Sequence, residues 1–276
     1  MFKKIIVAVL SFPVLLAFIT FAGYVMIPYS FHKVKLTVIN KEIASAEELS
    51  QKLLLAVKTG ERTDSLENAL CNFDEQILLK ELATEKQKKA FWINLYNAFS
   101  QVLLEKDTTA INSWTSRLKH YSSRKICIAG NMLSLNDIEH GMLRHSKVWW
   151  SMGYLSKWFP NGFEKAMRVP LDNRIHFALN CGAKSCPAIA FYDSEYLDQQ
   201  LDLATKVYLK QDVIYDDKKN TISITKLFSW YIKDFGGRKG IISFLKKHQV
   251  IPDESKPVIK YHPYDWSVLL RYYRES

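Results

Sequence analysis

Apolar residues recur at helical spacing over residues 46–59 and 66–82, which predicts two amphipathic helices. A third helix is predicted over residues 89–104. There Phe91, Leu95, Ala98 and Val102 are joined by Trp92, Tyr96, Phe99 and Leu103, so the helix should be deeply buried. Its remaining positions, Asn94, Asn97 and Gln101, fall on one stripe that is polar but uncharged. Buried amides need hydrogen-bond partners, so the stripe predicts either a structural network or the floor of a polar pocket. Residues 125–129 and 132–134 flank Gly130-Asn131 as a hairpin would, and Ser134 with Asp137 predicts a capping box opening a helix through Arg144.

Residues 174–180 alternate cleanly, with Ile175, Phe177 and Leu179 facing one way and His176, Ala178 and Asn180 the other, which predicts a strand. A tight loop, residues 181–187, follows it, and a helix begins near residue 195. A second hairpin is predicted from residues 213–215 and 221–224, and a helix over 226–235 is stopped by Gly236-Gly237. Helices outnumber strands and the strands cluster as hairpins, so the expected class is α+β.

The longest apolar run precedes all of these elements. Residues 5–27 carry no charge, follow Lys3 and Lys4, and are long enough to span a bilayer as one helix. A cleaved signal peptide needs only ~7–15 apolar residues and a small-x-small site, of which Thr20 and Ala22 offer a poor version. The expectation is therefore an uncleaved signal-anchor, residues 1–30, and one globular domain, residues 31–276. Lys3 and Lys4 assign the N-terminus to the cytoplasm, although Lys33 and Lys35 dilute that signal. The domain of this single-pass protein would lie outside the cytoplasm, in the periplasm if bacterial, where cysteines can pair.

A formal net charge of +10 suits anionic surfaces, but the lysines are scattered and no nucleic-acid motif appears. The expected partners are thus the bilayer through residues 5–27 and anionic lipid, with no nucleic acid. The absence of a Walker loop, GxGxxG or HExxH predicts no cofactor and no metal. Hydrophobic residues make up 48% of the chain, which argues against disorder.

Candidate chemistry concentrates in the loop after the predicted strand, where Cys181, Ser185, Cys186 and several backbone amides adjoin His176 and Asn180. Cys181 could be a nucleophile with backbone donors receiving an oxyanion, or it could close a structural disulfide with Cys186. Cys71 and Cys127 stand alone in apolar stretches and are expected to be inert. Glu139, His140 and Arg144 form a second cluster, with His140 and Arg144 on one helical face. His140 or His176 could serve as the base. Asn94 and Asn97 are expected to line or support the same pocket.

Four segments also carry a resemblance: residues 90–98, 133–144, 174–187 and 264–266, in that order. Together they resemble the family known as domain of unknown function 547, over roughly residues 90–266. The resemblance implies a papain-like or transglutaminase-like core, with a central buried helix on an antiparallel sheet, and raises the expectation of thiol chemistry. The analogy conflicts with the sequence in one respect. Papain-like enzymes place the nucleophile at the start of the central helix, and residues 89–104 contain no cysteine. Either Cys181 acts in a rearranged site, as a thiol-dependent hydrolase or acyltransferase on peptide-like or amide substrates, or the domain binds without catalysis.

Overall fold

The computed structural model describes residues 44–274. The expected membrane anchor lies outside the described residues. Among those described, no helix is long and apolar enough to cross a membrane.

The first helix, Ala46–Thr59, starts where the Ser45 hydroxyl accepts from the Glu48 amide and ends at Gly60, in the left-handed conformation. The apolar pattern over 66–82 forms two helices rather than one, Asp64–Cys71 and Glu75–Glu81. Asp74 makes the break, because its carboxylate caps the amides of Gln76 and Ile77 at 2.9 Å each. The central helix runs Glu85–Lys106, opened by a capping box of Thr84 and Gln87, and every residue from Ala90 to Leu104 is buried. It packs against Ala46–Thr59 and against a π-helix, Asp137–Leu143.

Strands β1 (Ile126–Ile128) and β2 (Asn131–Leu133) form the expected antiparallel hairpin. Its turn falls one residue early, at Ala129-Gly130, both with positive φ, so Asn131 opens β2. The expectation for Cys71 and Cys127 is corrected here: they form a disulfide. The end of helix Asp64–Cys71 docks on the hairpin turn, where the amides of Ala129 and Gly130 donate to the carbonyls of Leu70 and Cys71. That docking joins two cysteines that are far apart in sequence.

The predicted strand over 174–180 is also corrected. Residues Asn173–Phe177 form a 3₁₀ turn, capped by Asp172, which accepts from the Arg174 amide at 3.1 Å. The alternation misleads because Ile175 through Asn180 are all buried, so polar and apolar positions do not sort into outside and inside. Ile175 packs into the core around the central helix, while Phe177 packs into a second core with Phe228, Phe235 and Phe244. The turn joins the two cores and holds His176 between them.

Helix Leu197–Asp212 leads into β3 (Ile214–Asp216) and β4 (Thr221–Ile224), the expected second hairpin, and β5 (Val258–Tyr261) adds parallel to β4. The helix expected over 226–235 is only Leu227–Trp230, and Gly236-Gly237 leads into a further helix, Gly237–Lys247. The class is mixed α+β. The described residues form sheets of two and three strands, which by themselves do not show the papain-like arrangement that the resemblance implies.

Candidate functional site

A cavity of about 470 Å³ opens between the π-helix, the 3₁₀ turn, the Cys181 loop, helix Trp114–Ser122 and the segments around Tyr231 and Tyr264. Aromatic side chains wall it, and its polar lining includes Glu139, His140, His176 and Cys181.

The π-helix is set by i→i+5 bonds such as Arg144 N to Glu139 O, and the capping box of Ser134 and Asp137 precedes it as expected. Such turns are rare and recur at functional sites. Here the turn presents Glu139 and His140 together to the cavity while sending Arg144 into the interior, where it is fully buried. Arg144 donates twice to Asp234, at 2.7 and 3.0 Å, and a third time to His140 Nδ1 at 2.7 Å. Guanidinium cannot accept, so His140 Nδ1 must, and the ring proton sits on Nε2. Burial, reinforced by the neighbouring Arg144 charge, lowers the His140 pKa to about 3 despite the opposing field of Glu139. His140 is therefore a neutral N–H donor at physiological pH.

His176 Nε2 lies 2.9 Å from Asp234 Oδ2, and its ring stacks on Tyr231 at 3.9 Å. An ionised carboxylate only accepts, so Nε2 carries the proton and Nδ1 is left with a free lone pair. Burial lowers the His176 pKa, with Asp234 opposing. For Asp234, burial raises the pKa, but the hydrogen bonds from His176 and Arg144 bring it to about 2. Gly153 covers this ion pair at a positive φ, and a Cβ there would collide with Asp234. Glu139 accepts from the hydroxyls of Tyr96, at 3.0 Å, and Tyr231, at 2.6 Å. Burial works against its ionised form, but the His140 and Arg144 side and the Tyr231 hydroxyl overcome it, so its pKa is lowered.

The Cys181 loop is built by the amide stripe. Asn97 donates to Ala178 O at 3.0 Å and accepts from Asn180 N at 2.8 Å, while Asn180 accepts from Gly182 N and donates to Pro187 O. Gln101 donates to Asn180 Oδ1 and accepts from Arg271 N. Asn94 makes the same two-way clamp further along, on the backbone of Tyr192. Gly182 has positive φ, and a Cβ there would strike Leu104. A strap from the chain's end closes the other side, as Asp265, Ser267 and Leu269 exchange backbone bonds with Ser185, Lys184 and Gly182.

Cys181 and Cys186 are free thiols with sulfurs 2.7 Å apart, Cys181 partly exposed and Cys186 buried. The loop's amides do not converge on a substrate oxyanion as expected. Those of residues 180, 182 and 184–186 bond within the protein, Cys181 N donates to Cys186 Sγ at 3.1 Å, and Ala183 N donates to the Cys181 thiol. Hydrogen bonding from Cys186, joined by Ala183, Tyr121 and Tyr264 and opposed by burial, lowers the Cys181 pKa to about 7. Burial and the neighbouring thiol push Cys186 up.

Of the sequence-derived candidates, Glu139, His140, His176, Cys181 and Cys186 line the cavity. Arg144, Asn97 and Asn180 stand behind it, Asn94 holds a more distant backbone segment, and Ser185 anchors the strap through Asp265 N at 2.8 Å. Sequence reasoning missed Asp234, Tyr231 and Tyr121. The only signal for Asp234 is an acidic residue inside the aromatic run 228–235, just before Gly236-Gly237. Tyr96 and Tyr264 lie inside the quoted motifs, and the Tyr264 hydroxyl lies 3.2 Å from Cys186 Sγ.

No curated protein and no solved structure matches the chain. Residues 79–209 match the family described as "Protein of unknown function, DUF547", and that span holds the first three of the four motifs, supporting the family assignment that they suggested.

Proposed function

We propose that this domain is a thiol-dependent acyl-transfer enzyme, a hydrolase or acyltransferase on peptide-like or amide substrates, with Cys181 as nucleophile. The observation that carries the reading is that a partly exposed thiol with a pKa lowered to about 7 opens on the same aromatic-walled cavity as two histidines in fixed tautomers. The Cys181 thiolate adds to a carbonyl carbon. The His140 Nε2–H is a donor for the developing oxyanion, in place of the loop amides that are already bonded. His176 Nδ1, oriented by Asp234, takes the Cys181 thiol proton and returns it to the leaving amine or alcohol as the adduct collapses to an acyl-thioester. Water or an acceptor then attacks the thioester while His176 Nδ1 takes its proton and passes it to the departing Cys181 sulfur. Glu139 acts on Tyr96 and Tyr231 and positions the wall rather than the reacting atoms.

We further propose that residues 5–27 anchor the domain at a membrane, outside the cytoplasm. The Cys71–Cys127 disulfide fits an oxidising compartment, and exposed Tyr154, Trp158 and Phe159 are residue types suited to a bilayer interface. Carbonate extraction tests this, since a protein released to the soluble fraction has no anchor.

Chromogenic esters and peptide amides, assayed with the full chain in detergent, test the chemistry. Cys181→Ser abolishes turnover and acyl-thioester formation, and the iodoacetamide rate of the wild type rises with pH to half its maximum near pH 7. Turnover that survives in Cys181→Ser removes the reading.

A further inference from the structure

Several other features fall short of a site. Glu164 has an unpartnered buried carboxylate oxygen but is not among the residues that line the cavity, and nothing identifies what would cover the exposed Tyr154, Trp158 and Phe159. The thiol pair carries more. Acyl transfer uses one sulfur, yet the loop is organised around two.

We propose that Cys181 and Cys186 are a thiol–disulfide exchange couple, with Cys181 the attacking and Cys186 the resolving thiol, acting on disulfides admitted by the aromatic cavity. The 2.7 Å between the sulfurs leaves a short approach to a disulfide bond of about 2.05 Å. Exposure assigns the order: Cys181 is reachable from the cavity, while Cys186 is 4% exposed behind it. The amides of Cys181 and Ala183 are aimed at the sulfurs themselves, and the Tyr264 hydroxyl reaches both, at 3.8 and 3.2 Å. These donors stabilise whichever sulfur holds negative charge. The lowered Cys181 and raised Cys186 pKa values agree with that order.

The exchange balances without another reactant. The Cys181 thiolate attacks one sulfur of a substrate disulfide R–S–S–R′, forming a mixed disulfide and expelling R′–S⁻. Cys186 then loses its proton and attacks Cys181 Sγ, closing the intramolecular bridge and expelling R–S⁻. Two electrons pass from the thiol pair to the substrate, whose two thiolates take up protons. This activity goes beyond acyl transfer and does not rest on it.

The test uses the full chain in detergent with oxidised glutathione as the probe, read by intact mass and thiol counting. Wild type loses both free thiols and keeps no glutathione at the end point, whereas rapid acid quenching catches glutathione on Cys181 first. Cys186→Ser keeps one glutathione on Cys181, and Cys181→Ser reacts at least tenfold more slowly. The acid-quench series keeps the proposal falsifiable if Cys186→Ser misfolds. Wild type that retains both thiols, holds glutathione on Cys181 without closing the bridge, or reacts first at Cys186 overturns it. Ester turnover of the reduced wild type, measured beside it, separates the two readings. Both need Cys181, but bridge closure without ester turnover removes acyl transfer alone, and ester turnover without bridge closure removes the exchange alone.

Discussion

The disulfide Cys71–Cys127 and the thiol pair Cys181–Cys186 use the same side chain in opposite ways. The first joins residues 56 apart in sequence and ties a helix end to a hairpin. The second spans five residues that the amide stripe and the C-terminal strap already hold, and it faces a cavity. A cross-link that closes a long loop removes much conformational freedom from the unfolded chain, while one across a short loop held by other bonds removes little. Structural value and chemical availability therefore fall on different pairs.

The largest expected effect breaks this contrast if it fails. Replacing Cys71 and Cys127 together by Ser should cost about 4 kcal/mol in urea unfolding, from the loop it closes. Replacing Cys181 and Cys186 together should cost less than about 1 kcal/mol, within the range of a substitution that breaks no core packing. Equal losses from the two double variants would mean that the second pair is structural as well.

A second measurement asks what holds the open pair in place. Asn97→Leu leaves Asn180 N–H and Ala178 C=O buried without partners and should cost about 2–3 kcal/mol, at the upper end for unsatisfied groups. It should also erase the difference in alkylation rate between Cys181 and Cys186. If that difference survives, the strap alone organises the loop.

The smallest expected effect concerns the histidines. Both have folded pKa values below the ordinary value of 6.5, so below that pH the unfolded chain binds the extra protons. Their contribution to stability is fully present above about pH 6.5 and is lost progressively as pH falls toward the folded values, about 3 for His140. For His140 alone the loss between pH 7 and pH 5 is about 2 kcal/mol. His140→Asn can still accept from Arg144 but does not titrate, so it should flatten the stability profile over that window. An unchanged slope would mean that His140 is charged in the folded protein.

Much of this arrangement was legible in the sequence, and the reasons differ from residue to residue. The central helix announced itself because apolar residues surround an uncharged stripe, and that stripe could only be a network or a pocket floor. It is a network, clamping the backbone that bears Cys181. The capping box of Ser134 and Asp137 was readable because it is local. The 3₁₀ turn was not, because period-two alternation signals a strand only where one face meets water, and both faces here are buried. Asp234 and the Cys71–Cys127 pairing depend on contacts over 58 and 56 residues, which no local pattern encodes.

The two pairs also differ in when they exist. Four cysteines permit three complete pairings, but a chain made from its N-terminus does not offer them all at once. Cys71 and Cys127 emerge with no other thiol in the chain, so each has a single candidate mate. Cys181 and Cys186 are added later, so early pairing of the first two would leave the last two only each other. The strap of residues 264–274 is made later still, and only then are the last two sulfurs given the Tyr264 hydroxyl and the fixed loop that separate their reactivities. The order of synthesis therefore favours the Cys71–Cys127 pairing, which the spacing of the cysteines does not encode.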